Sequence, residues 1–300
     1  MMAAGMSSNV KGGAIMLLAV GAFSFMDAGM KVLSSAYPPL QIASFRSLAS
    51  LPLILVWIGF RGGFRQVLRV RFGLHALRAA IGIVMLAAFV YGLRRLPLSE
   101  AYAIFFVAPL LITVFAALIL GERIGWRRWA AVAIGLAGVL IVLRPTGAGV
   151  ATLAGLSVVI CAVGYALSAI LVRILGRTDS TESMVFWVLT LMGAGATLLA
   201  LPQWRPIQPQ HWIAIIVVGV SGCLGQWAIT EAFRLGEASF LAPFEYSALV
   251  WGLALDWTLW QTLPEARALA GAAVIVASGI YLIRLERSGR TAVAPDAICE

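Results

Sequence analysis

The sequence predicts an all-α polytopic membrane protein, with ten transmembrane helices arranged as two inverted five-helix repeats. Three observations lead there. First, 61% of the 300 residues are hydrophobic and 12% are charged, with a mean hydropathy of +0.96. A soluble domain carries roughly 25% charged residues and is under half apolar. This composition excludes a soluble enzyme, a disordered chain and a disulfide-stapled secreted module. Second, apolar runs fall near 12–33, 40–60, 74–93, 98–120, 128–144, 150–174, 183–201, 211–230, 239–260 and 267–284. At ~20 residues per crossing, ten such runs use about 200 residues and leave only short loops. Third, the chain repeats at a constant offset. A shift of 140 aligns Arg94 with Arg234, Ser99 with Ser239, Arg127 with Arg267 and Arg144 with Arg284. A shift of 142 aligns Gly13 with Gly155, Phe23 with Tyr165 and Lys31 with Arg173. A constant offset outweighs any single match in so Ala- and Leu-rich a chain. Five spans per half is an odd number, so the second half lies upside down relative to the first. The expected units are residues 1–145 and 146–286, followed by a cytoplasmic tail at 287–300.

Run one starts after Lys11, as a signal peptide would, but nine further runs argue for an uncleaved first helix. It carries Asp27 and Lys31, four residues apart and so on one helical face. Run two carries Arg46. Asp27 and Arg46 each lie about seven residues from the outer end of their helix, or roughly 10 Å deep at 1.5 Å per residue. A contact across the hairpin is therefore expected, with Lys31 nearer the surface. The alternative is an ion pair that only fixes helix packing. Run three carries Arg78. Run four opens with Glu100, beside Tyr102, Phe105 and Phe106, and holds Pro109. Glu100 reads either as a carboxylate suited to proton coupling or as an interfacial partner of Arg94 or Arg95.

Run five is rich in Gly and Ala, matched in run ten by Ala130/Ala270, Ala131/Gly271, Ala133/Ala273 and Ala137/Ala277. Such stripes let helices approach closely and suit scaffolding of the bundle or a homodimer. Run six carries Tyr165. Run nine carries Pro243, Glu245 and Tyr246. Glu245 lies ~10 Å from the cytoplasmic end, with Arg78 at similar depth as a candidate partner. Ionisable side chains within spans are functional hypotheses by default. Pro109 and Pro243 each remove a backbone hydrogen bond and should kink the fourth span of its half. Tyr102, Tyr165 and Tyr246 can stack on a planar or cationic solute; their other reading is interfacial bulk.

The net charge of +9 suggests nucleic acid only in a soluble protein. Here the arginines sit in short loops. Arg61, Arg65, Arg69 and Arg71 follow run two, Arg123, Arg127 and Arg128 follow run four, Arg173 and Arg177 follow run six, and Arg284, Arg287 and Arg290 follow run ten. Loops of the other parity hold fewer, so the richer set is read as cytoplasmic, and with it both termini. Lys11 and Lys31 are the only lysines, a hint of a GC-rich bacterial genome. Cys161 and Cys223 lie inside runs and Cys299 in the tail, forming neither a disulfide framework nor a metal set. No HExxH, CxxC or nucleotide-binding pattern occurs, so no metal or cofactor is expected, and an ATP-driven pump is excluded for the single chain. Inverted repeats hold substrates near the midplane of secondary transporters. The expected partners are thus a small-molecule substrate and the lipid bilayer.

The stretch from Leu96 to Pro145 has a small-residue entry, Pro109, a Gly121-Glu122-Arg123 turn and a Gly/Ala-rich closing helix. It resembles the EamA-type repeat of the drug/metabolite transporter superfamily. Pro243, Pro264 and Ala270-Gly271 form a weaker second copy, and Asp27-x-x-x-Lys31 followed by Gln41-x-x-x-x-Arg46 is similar to one branch. The turn glutamate of the first copy, Glu122, is matched in the second by Thr262. The resemblance implies a ten-helix inner-membrane carrier of small metabolites working by alternating access. Charges of both signs at membrane depth point to a zwitterionic, amino-acid-like solute, with proton coupling as an option. Two other classes stay open: an intramembrane enzyme, which needs a catalytic dyad or ligand cluster at depth, and a non-transporting scaffold.

Overall fold

The computed structural model describes residues 8–60, 67, 70–93, 95–96, 102, 104–143, 152–261 and 266–291, and among these no strand occurs. The helices are α1 (Ser8–Leu33), α2 (Pro39–Phe60), α3 (Phe72–Leu93), α4 (Ala108–Leu120), α5 (Trp126–Leu143), α6 (Leu153–Leu175), α7 (Thr181–Ala200), α8 (Trp212–Leu235), α9 (Ala238–Leu241), α10 (Ser247–Trp260) and α11 (Ala266–Thr291). Eight helical segments, Ala238–Leu255 counted as one, are long and apolar enough to cross a membrane, and two shorter apolar helices complete ten passes. The protein is a multi-pass, all-α membrane protein.

Local sequence accounts for the helix ends. Thr152 caps α6 by accepting from the Gly155 amide at 3.0 Å, and Ser180 caps α7 through the Ser183 amide at 3.2 Å. Helix α4 ends at Gly121, whose φ of 69° is left-handed and costs a residue without Cβ little. Hydroxyls inside the apolar helices donate back to their own turn: Ser24 to the Val20 carbonyl at 3.0 Å, Thr113 to that of Pro109 at 2.9 Å and Thr230 to that of Gln226 at 2.7 Å. They need no water.

The fourth and ninth passes are broken rather than kinked. A turn at Phe106–Val107 precedes α4, and Pro109 sits in its first turn. In the ninth pass Ala242–Tyr246 forms a 3₁₀ turn between α9 and α10, with Pro243 at its start. The physical reason is positional. Proline suits the first turn of a new helix, where its missing N–H has no partner to lose.

Polar contacts sort the loops into two ends. At one end the α1–α2 turn meets the α7–α8 loop. Gln41 Nε2 donates to the Arg205 carbonyl at 2.6 Å, and Tyr37 Oη accepts from the Gln208 amide at 2.8 Å. At the other, arginine-rich end, His75 at the start of α3 meets Asp179 of the α6–α7 turn at 2.8 Å, and Asn9 at the start of α1 meets Glu237 after α8.

Helix pairing is symmetric under exchange of the halves, first pass with sixth, second with seventh and so on. Helix α1 packs along α8 and α3 along α6; α2 crosses α7 and α8 as α7 crosses α2 and α3; α6 meets the fourth pass as α1 meets the ninth. Helices α5 and α11 pair directly, and the small-residue stripes serve this contact. A Cβ on Gly271 would lie 2.8 Å from the Gly138 carbonyl oxygen, and one on Gly138 would lie 3.0 Å from that of Gly271.

Candidate functional site

Six passes bring polar side chains to the middle of the bundle. Asp27 comes from α1, Arg46 from α2, Arg78 from α3, Tyr102 from the fourth pass, Tyr165 from α6 and Glu245 from the 3₁₀ turn of the ninth. Their electrostatic contacts form a chain. Asp27 lies within range of Arg46 and of Tyr102, Arg46 within range of Tyr165, and Tyr165 within range of Arg78 and Glu245.

Asp27 is set deep among protein atoms, yet its side chain is accessible to solvent. Among the described residues no hydrogen bond or ion pair within 4 Å reaches it. The expected Asp27–Arg46 contact is therefore an electrostatic proximity rather than an ion pair. Arg46 instead donates to Gln226 Oε1 of α8 at 3.3 Å, and its guanidinium lies 5.4 Å from the centre of the Phe23 ring. Beside it lies a small cleft that Arg46 and Gln226 line together with Leu40, Ala43, Ser47 and Leu199 among others.

Glu245 is 7% exposed and accepts a hydrogen bond from Tyr165 Oη at 3.1 Å. This replaces the partnership with Arg78 that equal depth suggested. Arg78, 4% exposed, donates to Ser168 Oγ at 3.3 Å and to the Met184 carbonyl at 3.4 Å. Arg78 is turned toward α6 and α7, and depth alone does not fix that rotation. Tyr246 is fully buried, and among the described residues its hydroxyl has no hydrogen-bond partner. It packs on Phe106 with ring centres 6.0 Å apart and belongs to the wall behind the site. Tyr102, Phe105 and Phe106 continue that wall, Phe105 reaching Tyr165 at 5.6 Å. Glu100 and the side chain of Lys31 lie outside the described residues.

Sequence reasoning passed over Gln226, although a lone amide in an apolar run is a visible signal. It also passed over the second role of the Gly121-Glu122-Arg123 turn. Glu122 accepts from the amides of Ala238 at 2.9 Å and Ser239 at 3.1 Å, and from Ser239 Oγ at 2.6 Å. It thereby caps the broken ninth pass. Arg128 adds an ion pair to Glu237 at 2.5 Å and donates to Ser239 Oγ at 3.1 Å. His75 and Asp179 pair in the interior, and among the described residues no three of His, Cys, Asp and Glu gather as a metal site.

Chemically, the centre offers an accessible carboxylate, a guanidinium held by a neutral amide, a hydroxyl and aromatic faces. That set can bind a polar solute through its charges.

The chain matches the pattern of the EamA-like transporter family over residues 10–144 and again over 152–285. It is 31% identical over 280 residues to a riboflavin transporter of Vibrio cholerae, covering 91% of this chain and 93% of that one. It is 27% identical to the pseudopaline exporter CntI of Pseudomonas aeruginosa, over 90% of this chain and 95% of that one. It is 24% identical to an S-adenosylmethionine uptake transporter of Rickettsia prowazekii, over 90% and 92%. A solved crystal structure superposes with a TM-score of 0.81 at 21% identity, covering 93% of this chain and 98% of that chain.

Proposed function

The chain belongs to the EamA-like transporter family, and from that premise we propose that it is a secondary carrier of a small zwitterionic metabolite across the bacterial inner membrane, working by alternating access. The observation that carries the substrate class is Asp27, exposed on α1 and without a hydrogen-bond or ion-pair partner among the described residues, on the same electrostatic chain as Arg46. A buried charge is costly unless something compensates it. Here the compensation is left for the solute. Its cationic group faces Asp27 and Tyr102, and its anionic group faces Arg46 and Gln226. Named relatives carry solutes as different as riboflavin, pseudopaline and S-adenosylmethionine, which fits a common scaffold with a changeable centre.

The exchange-symmetric pairing of helices supports two five-helix units at 1–145 and 146–286 related by an in-plane pseudo-two-fold axis. The arginine-rich end is cytoplasmic in this reading, with both termini. Glu245, on a broken pass that can reorient it, is the carboxylate assigned to proton coupling.

Purified protein in liposomes tests the reading. Uptake of labelled amino-acid-like zwitterions, competed by zwitterions but not by the matching amine or acid alone, supports it. Conversion of the solute would identify an intramembrane enzyme. Flux of only a singly charged or neutral solute would overturn the zwitterion assignment and keep the carrier.

A further inference from the structure

The small cleft beside Arg46 has two kinds of wall. Arg46, Gln226 and Ser47 are polar, and every other residue that lines it is aliphatic or methionine. It is shared by α2, α3, α7 and α8, and small residues leave its space. Ala43 of α2 and Ala196 of α7 contribute only methyl groups. Two larger lining side chains, Ile83 of α3 and Met192 of α7, each lie over a glycine of the other's helix. A Cβ on Gly82 would sit 2.7 Å from Met192 Sδ, and one on Gly195 would sit 2.6 Å from Ile83 Cδ1. The two glycines thus let Met192 and Ile83 settle back against the neighbouring backbone.

The polar wall is held in a definite orientation. Arg46 lies between Gln226 Oε1, at 3.3 Å, and the Phe23 ring. Phe23 is itself seated on Gly225, where a Cβ would lie 2.7 Å from the ring. A guanidinium can only donate, so it is the amide oxygen of Gln226 that faces it. The amide nitrogen is then the end left over. Among the described residues neither that nitrogen nor the remaining N–H groups of Arg46 meet an acceptor. A guanidinium and an amide that both have donors to spare suit a carboxylate. The aliphatic wall beside them suits whatever apolar group that carboxylate carries.

We propose that this cleft is the side-chain subsite of the carrier. It takes the apolar side chain of a solute whose carboxylate sits on Arg46 and Gln226, and Met192 and Ile83 set the largest side chain admitted. The inference deepens the zwitterion reading and rests on it for the amino group facing Asp27. The carboxylate and the apolar part rest on the cleft itself.

The test uses the full chain in a background with Cys161, Cys223 and Cys299 replaced by serine. Ala43→Cys places a half-buried thiol in the cleft. Occupancy is read as slower alkylation of that thiol in detergent, so no transport is needed. The probes are leucine, its polar near-isostere asparagine, phenylalanine, and isocaproate, which is leucine without its amino group. Leucine should protect at roughly tenfold lower concentration than asparagine, whose amide would lose its water without gaining a partner. Arg46→Gln should abolish protection by leucine. Met192→Ala should move the preference from leucine toward phenylalanine by about tenfold, the scale on which apolar pockets discriminate size. Ile83→Ala should move it the same way and serves should Met192→Ala fail to fold. Counterflow exchange in liposomes should follow the same order.

Equal protection by asparagine and leucine overturns the subsite, as does the absence of protection by any probe. So does protection by leucine that survives Arg46→Gln, or an unchanged leucine-to-phenylalanine order in both cleft variants. If isocaproate protects and is exchanged as well as leucine, the subsite stands and the zwitterion reading falls. If the stated order of protection holds while no solute moves in liposomes, the subsite stands and the carrier reading falls. If zwitterions are exchanged without regard to side chain, the carrier stands and the subsite falls.

Discussion

Tyr165→Phe isolates one hydroxyl at the centre of the site. The ring keeps its contact with Phe105, 5.6 Å centre to centre, while the hydrogen bond to Glu245 at 3.1 Å is lost. That bond is the only one Glu245 makes among the described residues, and Glu245 is 7% exposed. Leaving a buried acceptor without its donor costs about 1–3 kcal/mol, and more when the acceptor is charged. An expected loss of ~2 kcal/mol corresponds to roughly 30-fold in an equilibrium constant. Domains of 150–250 residues shift by roughly 2–4 °C per kcal/mol, so the detergent-purified protein should melt about 4 °C lower. A double-mutant cycle with Glu245→Gln separates the bond from other effects of either change, because residues in contact show coupling energies of about 0.5–3 kcal/mol. The measurements are thermal unfolding of four proteins and counterflow exchange in liposomes. A shift under 1 °C with unchanged exchange, or a coupling energy of zero, would refute both the hydrogen bond and the placement of Glu245 beside α6.

Four further outcomes are expected. Asp27→Asn should leave purified yield intact and abolish solute flux, since among the described residues no ion pair holds Asp27; a fall in yield restored by adding Arg46→Gln would make the two a structural pair. Gly271→Ala places a Cβ 2.8 Å from the Gly138 carbonyl oxygen and should cost about 1–3 kcal/mol by overpacking, read as a lower melting temperature, whereas Gly279→Ala, with nothing nearer than 3.9 Å, should be neutral. Reporter fusions after Arg61 and Arg290 should read cytoplasmic and one near Gln208 periplasmic; a periplasmic C-terminus overturns the inverted repeat. Glu245→Gln should keep counterflow but lose the response of uptake to an imposed pH gradient, and full gradient dependence in that variant would move the coupling role to another carboxylate.

The passes were legible in the sequence because crossing a membrane needs a length of apolar chain whatever its neighbours are. Helix rotation was not legible. A helix apolar all round has no face that sequence can assign, so depth was readable for Arg78 and Glu245 but direction was not. Arg78 turns to Ser168 and Met184, and Glu245 to Tyr165. The breaks at Phe106–Val107 and Ala242–Tyr246 were half legible. Each proline marked the place, while the length of disrupted helix depends on packing: Phe240 and Phe244 lock into the cluster with Met16 and Phe233. Glu122 was recognised as a turn residue, yet its partners lie 116 and 117 positions away, where no local pattern reaches.

The way the central charges are held bears on what they are for. Had Asp27 and Arg46 formed a close ion pair, a solute would have had to break it. Truncating one side of such a pair leaves the other charge buried and costs about 3–5 kcal/mol. Both arginines are instead held by neutral groups, Arg46 by the Gln226 amide and Arg78 by a hydroxyl and a carbonyl. Neutral partners fix the position of a cation without cancelling its charge, so the field of Arg46 remains available to an anionic group, as that of Asp27 does to a cation. A purely structural network would be expected to neutralise its charges internally. An exposed carboxylate that no described side chain pairs, on the same chain of contacts as a guanidinium, fits the solute proposed above as a third participant. The size of that participant follows from the spacing between Asp27 and Arg46, which a series of zwitterions differing only in the distance between their charges would measure through competition for uptake.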